Sequence, residues 1–115
     1  MYKNRITIIG NVSQEPTVRT TGNGTEVCNF SVATTHIFYR NEEKVSQSEY
    51  HSCSAWDRLV PRCEHLRLGQ KIEIEGRVKE NNWEKTCSCG QTIKQYRYEI
   101  QVNSILYLEK KDENA

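Results

Sequence analysis

From Lys71 to Lys79 the chain alternates without a break. Ile72, Ile74, Gly76 and Val78 fall on one side of an extended backbone, and Lys71, Glu73, Glu75, Arg77 and Lys79 fall on the other. Successive side chains of a strand point to opposite faces, so this stretch predicts a strand with one dry face and one wet face. The same period of two dominates most of the chain. Residues 4–12, Asn-Arg-Ile-Thr-Ile-Ile-Gly-Asn-Val, predict a first strand in which Gly10 marks a bulge or a sharp bend. Gln14-Glu15-Pro16 predicts a turn, and Thr20-Thr21-Gly22-Asn23-Gly24 a second. Val27 to Tyr39 is rich in β-branched and aromatic residues and predicts a long strand. Arg40 to Ser48 is polar and charged, which predicts a surface loop, and Glu49 to Trp56 predicts a third strand. Tyr96 to Leu108 predicts the last strand, with Tyr96, Tyr98, Ile100 and Val102 on one face.

Helical spacing occurs once, at Leu59, Cys63 and Leu66. Asp57 is placed to cap the start of that helix and Gly69 to close its end. Pro61 is tolerated only in a first turn, which moves the predicted start toward Val60. Glu80 to Thr92 is polar, with Trp83 near its start and Gly90 near its tip, and reads as a hairpin joining the last two strands. Five strands with one helix between the third and fourth is the order of the OB-fold, an all-β, five-stranded Greek-key barrel. The predicted domain spans 1–109, and 110–115 is a short charged tail.

Composition narrows the function. Of 115 residues, 36% are hydrophobic, so one small core is expected. No run of about 18 apolar residues and no apolar leader is present, which predicts a soluble, cytoplasmic protein. Lys and Arg number 16 against 15 Asp and Glu, for a formal net charge of +1. A bulk basic field is therefore absent, and any nucleic-acid site must come from local placement of cations. Five cysteines, an odd number, argue against a disulfide framework. Cys28, Cys53 and Cys63 sit in apolar patterns and are expected in the core. Cys87-Ser88-Cys89 supplies two of the roughly four ligands a zinc site needs. Plain exposed thiols are the favoured reading there, ahead of a metal site or a redox-sensitive disulfide. No catalytic constellation is visible, and Gly22-Asn23-Gly24 lacks the Gly-Lys-Ser/Thr of a phosphate-binding loop. No enzyme activity, cofactor or metal is expected. Trp83 stands in the polar run Asn81-Asn82-Trp83-Glu84-Lys85 without apolar neighbours, which points to a binding ring. Phe30 shares a face with Cys28 and Val32 and is expected in the core.

Residues 4–12, followed by Glu15-Pro16-Thr17-Val18-Arg19, resemble the opening of the bacterial-type single-stranded DNA-binding proteins. Asn23-Gly24, Val27 and Asn29-Phe30-Ser31-Val32-Ala33-Thr34 continue the resemblance. So do Tyr50-His51, Trp56-Asp57-Arg58-Leu59, Leu68-Gly69 and Ile74-Glu75-Gly76-Arg77. The ordered set covers nearly the whole chain. It implies sequence-independent binding of single-stranded DNA by an oligomer, usually a homotetramer, serving replication, recombination and repair. It places base-stacking rings at Phe38, Tyr50, Trp56 and Trp83. It places phosphate contacts at or beside Arg19, Arg58, Arg67 and Lys79, with Arg77, Lys85 and Arg97 as further candidates. It sets His51 near a subunit interface.

The chemistry behind such a set is simple. Every base has a π-face, so a ring binds any base, at roughly 1–3 kcal/mol per contact. Cations on the phosphates release counterions, so affinity falls with salt. For Phe38, Tyr50 and Trp56, packing in the core or at an interface is the competing reading. Asn81 and Asn82 stand where many family members carry basic residues, which predicts weaker binding or a shallower salt dependence. The chain shows no Gly/Pro/Gln-rich linker with an acidic tip, so recruitment of enzymes through such a tip is not expected. Two rival readings share the fold: a dimeric primosomal accessory protein, and a module for protein–protein contact. RNA shares the stacking and phosphate chemistry.

Overall fold

The computed structural model describes residues 1–80, 83–86, 90, 92–95 and 97–108. Strand β1 runs over Ile6–Thr20, β2 over Glu26–Arg40 and β3 over Glu43–Trp56. A 3-10 turn at Asp57–Leu59 leads into the short helix α1, Val60–Cys63. Then come β4 at Lys71–Glu80, β5 at Trp83–Thr86, β6 at Thr92–Gln95 and β7 at Tyr98–Tyr107. The sheet closes into a barrel in the order β1-β2-β3-β7-β4, and β5 and β6 form a separate two-stranded hairpin. The five-stranded barrel with a helix between its third and fourth strands is the predicted OB-fold.

Closure depends on β1 serving two neighbours. Its Ile6–Asn11 half pairs antiparallel with β4, and its Asn11–Thr20 half pairs antiparallel with β2. The β2 ladder shifts register between Val12 and Gln14 and again between Gln14 and Thr17. Extra residues on one strand bend it and add twist. The predicted turn at Gln14-Glu15-Pro16 is thus an irregular stretch of one continuous strand, where Pro16 breaks no required ladder bond. The bend lies after Gly10, which is itself in regular register with Ile72. Gly10 is needed for a different reason. A Cβ there would lie 2.3 Å from the Ala33 carbonyl oxygen, so only glycine lets β1 cross this close to β2.

The predicted loop over Arg40 to Ser48 is also strand. β2 and β3 stay in register to Arg40 and Glu43, and the chain reverses at Asn41 and Glu42 with φ of 52° and 67°. Positive φ at both central residues matches the twist of a two-residue hairpin. The pattern hid this strand because nearly all of Glu43–Tyr50 is exposed. A ribbon wet on both faces has no reason to alternate.

The core fills the barrel with Ile8, Val12, Phe30, Val32, Ile72, Ile74, Ile100, Val102 and Ile105. Val60, Cys63 and Leu66 pack against it from α1 and the turn that follows. The helix is shorter than the spacing of Leu59, Cys63 and Leu66 predicts. Asp57 does not cap it with its side chain; it takes a left-handed φ of 52° at the strand-to-turn corner. Pro61 does sit in the first turn. The segment is held from outside: the Arg62 guanidinium donates to the Ile105 carbonyl at 3.2 Å, and the Tyr107 hydroxyl donates to the Arg62 carbonyl. On β7, Ile100 and Val102 face inward as expected, but Tyr98 is 63% exposed because the core ends at Ile100. Tyr96, Cys87, Cys89 and residues 109–115 lie outside the described residues.

Cys28, Cys53 and Cys63 are buried free thiols, as their patterns predict. Burial is the main cause that pushes Cys28 up to about 11, from an ordinary value of 9.0. Burial likewise raises Cys53 and Cys63 to about 12. Below pH 9 these thiols are neutral folded or unfolded. Between pH 9 and 12 the unfolded chain ionises them first, so their contribution to stability is lost across that window. Urea unfolding at a series of pH values is expected to show the fall beginning near pH 9, and replacing the three cysteines with alanine or valine should flatten it. Gly76 offers a second check. It sits where the β4–β7 register shifts, and a Cβ would lie 2.1 Å from the Gln101 carbonyl oxygen. Gly76→Ala is expected to cost about 1–3 kcal/mol or more in urea unfolding, whereas Gly22→Ala, with open space around it, should not strain the fold.

Candidate nucleic-acid interface

Residues directly opposite each other in an antiparallel pair share a face. That rule lays out the outer side of the barrel in rows. Arg19 on β1, Val27 on β2 and Trp56 on β3 form the first row. Thr17, Asn29 and Ser54 form the second, and Gln14, Ser31 and Ser52 the third. Asn11, Ala33 and Tyr50 form the fourth. The result is a lane of mostly small side chains with Trp56 at one end and Tyr50 at the other, in which Val27 and Ser54 lie buried beneath the surface. Six residue steps separate the two rings, roughly 20 Å of strand. Within the lane the Ser31 hydroxyl donates to Gln14 Oε1 at 3.1 Å.

The lane continues onto the next strands. β3 meets β7 in parallel at Cys53–Ile100 and Ser54–Gln101, and β7 meets β4 with Arg77 opposite Gln101 and Lys79 opposite Glu99. Trp56 is half-buried, and its indole Nε1 donates back to Ser54 Oγ at 3.3 Å. That bond turns the ring over the lane, where Lys79 Nζ stands 5.9 Å from its centroid. A cation at that distance is drawn to the ring face. Ser54 Oγ also lies 3.5 Å from Glu99 Oε1, so one carboxylate sits among the cations.

Two clefts open on this side. One, of about 230 Å³, includes Arg19, Gln14 and Asn29 from the first strands and Arg97 and Glu99 from the last. The other, of about 450 Å³, lies where β3 and β7 part below their short pairing. Tyr50, His51 and Ser52 line its β3 side, and Arg97, Tyr98 and Glu99 line its β7 side. The His51 ring is half-buried, with Nε2 2.9 Å from Thr34 Oγ1.

The structure therefore brings together Arg19, Tyr50, Trp56, Arg77, Lys79 and Arg97. Phe38 is placed differently. It lies near the free end of the β2–β3 hairpin, on the opposite face of that ribbon from Tyr50 and Trp56, stacked on His36 at 5.7 Å. Arg58 is exposed in the 3-10 turn just past Trp56. Arg67 is exposed in the turn before β4, far along that strand from Lys79. Trp83 and Lys85 belong to β5, but their side chains lie outside the described part of the structure. Sequence reading missed the lane itself and the exposure of Tyr98. Serines and asparagines in strands carry no signal of their own, and Tyr98 shares its period with core residues. Among the described residues, no group of three or more His, Cys, Asp or Glu is placed to hold a metal ion, and no helix is long and apolar enough to cross a membrane.

Barrel order and helix position define an OB-fold that carries aromatic and basic side chains on its outer face. The model of the Single-strand binding protein family matches residues 3–108, and the chain belongs to that family. It is 30% identical to the single-stranded DNA-binding protein of Neisseria meningitidis over all of this chain and 65% of that protein. It is 31% identical to single-stranded DNA-binding protein 1 of Chlorobaculum tepidum over 95% of this chain and 67% of the relative. The chain thus spans about two-thirds of the length of these relatives. The fold also superposes on a Plasmodium falciparum SSB solved in complex with ssDNA, with a TM-score of 0.81, 22% identity, and coverage of 95% of this chain and 97% of that one.

The Trp56–Ser54 bond gives a direct check. In a Trp83→Phe background, Ser54→Ala is expected to shift Trp56 emission to the red and to cost roughly 0.5–1.5 kcal/mol of stability. Unchanged emission would mean that Ser54 does not set the ring.

Proposed function

We propose that the protein binds single-stranded DNA without regard to sequence and without catalysing a reaction. Bases stack on Trp56 and Tyr50, and on Phe38 and Trp83 as the strand passes along the hairpins. Arg19, Arg77, Lys79 and Arg97 hold phosphates beside the lane, and Arg58, Arg67 and Lys85 extend the contacts. The observation that carries this reading is the ring-and-cation pair of Trp56 and Lys79 at one end of a lane that ends in exposed Tyr50. It answers the objection from a net charge of +1, since cations gathered on one path act locally and do not depend on the total. The names of the curated relatives support the same ligand.

The protein works as a self-assembled oligomer, a homotetramer by family resemblance. Exposed Ile9 and Leu106, which flank Glu73 across the sheet, offer apolar surface for such an assembly. It coats exposed strands in the cytoplasm, on nucleoid DNA, during replication, recombination and repair. Coating melts hairpins by mass action, because binding only the unpaired form draws the equilibrium toward it.

Tryptophan fluorescence titrated with oligo-dT at low and high salt tests the reading. Quenching is expected to saturate at a fixed nucleotide-to-protein ratio and to weaken steeply with salt. Trp56→Ala should bind roughly 5–150-fold more weakly. Lys79→Ala should make the log–log salt slope shallower by about 0.7, the share of one phosphate on a single strand. No binding at low salt would overturn the proposal and leave the face to a protein partner.

A further inference from the structure

Glu99 puts a negative charge where a polyanion is to lie. Among the described residues of the lane and its continuation across β7 and β4, it is the one carboxylate. It sits directly opposite Lys79 on the β4–β7 ladder. Side chains so opposed start roughly 5 Å apart. Arg19 and Arg97 share a cleft of about 230 Å³ with it. The Glu99 side chain is half-buried, and its Oε1 lies 3.5 Å from Ser54 Oγ. Ser54 is itself 1% exposed and also accepts the Trp56 indole N–H. That anchor is fixed, so the carboxylate is held among the cations and not left to swing into water. A charge held part-way out of water is screened less by salt than one on a free surface. Ser54 and Lys79 belong to the chain's own ladders, so they stand beside Glu99 in a lone chain and in an oligomer alike.

We propose that Glu99 is an internal counter-charge that competes with DNA phosphates for Lys79. With no strand present, the carboxylate offsets the ammonium opposite it. A phosphate that comes to Lys79 meets a cation already partly neutralised and an anion beside it. Binding therefore gains less from that contact and releases fewer counterions than the rings and cations alone would give. The bound strand also leaves sooner, since changes in affinity fall mostly on the rate of release. This inference rests on the single-stranded DNA reading above, and assigns to the same face a residue that restrains binding.

The test compares the full chain with Glu99→Gln, Lys79→Ala and the double variant. Each is titrated over a range of salt with oligo-dT and with an abasic oligomer of the same length, and thermal unfolding is followed in parallel. Glutamine keeps the size of the side chain and an acceptor for Ser54; Glu99→Ala carries the test if the amide upsets the fold. Glu99→Gln is expected to bind both strands roughly fivefold or more tightly at low salt. Its log–log salt slope should be steeper by about 0.7, the share of one phosphate. In the Lys79→Ala background the gain should shrink, because no phosphate is then drawn to that place. Unchanged or weaker binding by Glu99→Gln would overturn the proposal and leave the wider DNA reading intact. A gain of the same size without Lys79 would overturn it as well. So would a gain on oligo-dT alone, which would mean that Glu99 acts through the Trp56 ring. If the unaltered protein binds neither strand, both proposals fall.

Discussion

One strand with two partners holds this molecule together. β1 gives its first half to β4 and its second half to β2, and the register breaks after Val12 let it turn from one to the other. Without that turn the five strands would form an open sheet with two unpaired edges, which invites pairing with other chains. Glycine is required on both sides of the closure. Gly10 lets β1 pass close to β2, and Gly76 lets β4 pass close to β7. In each case the obstacle is a backbone carbonyl, which cannot swing aside as a side chain could.

The same closure shapes the binding surface. Because β1 does most of the bending, β3 and β7 need only a brief parallel contact to complete the ring. On one side of that contact the strands hold Ser54, Gln101 and Arg77 in a continuous outer row. On the other side they separate and leave the cleft rimmed by Tyr50 and Tyr98. Lane and cleft are thus two consequences of one short ladder. Small side chains at Asn29, Ser31, Ser52 and Ser54 keep the lane low, so the rings at its ends stand clear. The bond from the Trp56 indole to Ser54 brings the ring toward Lys79, which turns two residues distant in sequence into one charged, stacking element.

Where one face of a strand is dry and the other wet, the pattern of the chain is readable. Lys71 to Lys79 shows this cleanly, and Ile72, Ile74 and Gly76 are buried as their spacing demands. The buried cysteines and Phe30 follow the same logic. The reading fails where both faces meet water, as over Glu43–Tyr50, and where an irregular strand resembles a turn, as at Gln14-Glu15-Pro16. It also fails at the end of a periodic run. Tyr98 keeps the beat of Ile100 and Val102, yet the core stops one step short of it.

The sequence by itself determined the strand order, the place of the helix, the core and the types of residue available for stacking and for charge. Those depend on local period and side-chain chemistry, which every residue carries with it. Only the tertiary structure decided which of those residues meet. Whether Lys79 finds Trp56, or Tyr98 opens beside Tyr50, is set by the register of strands far apart in the chain and by where the barrel ends. Register is a property of pairs of strands, and no single stretch of sequence contains it.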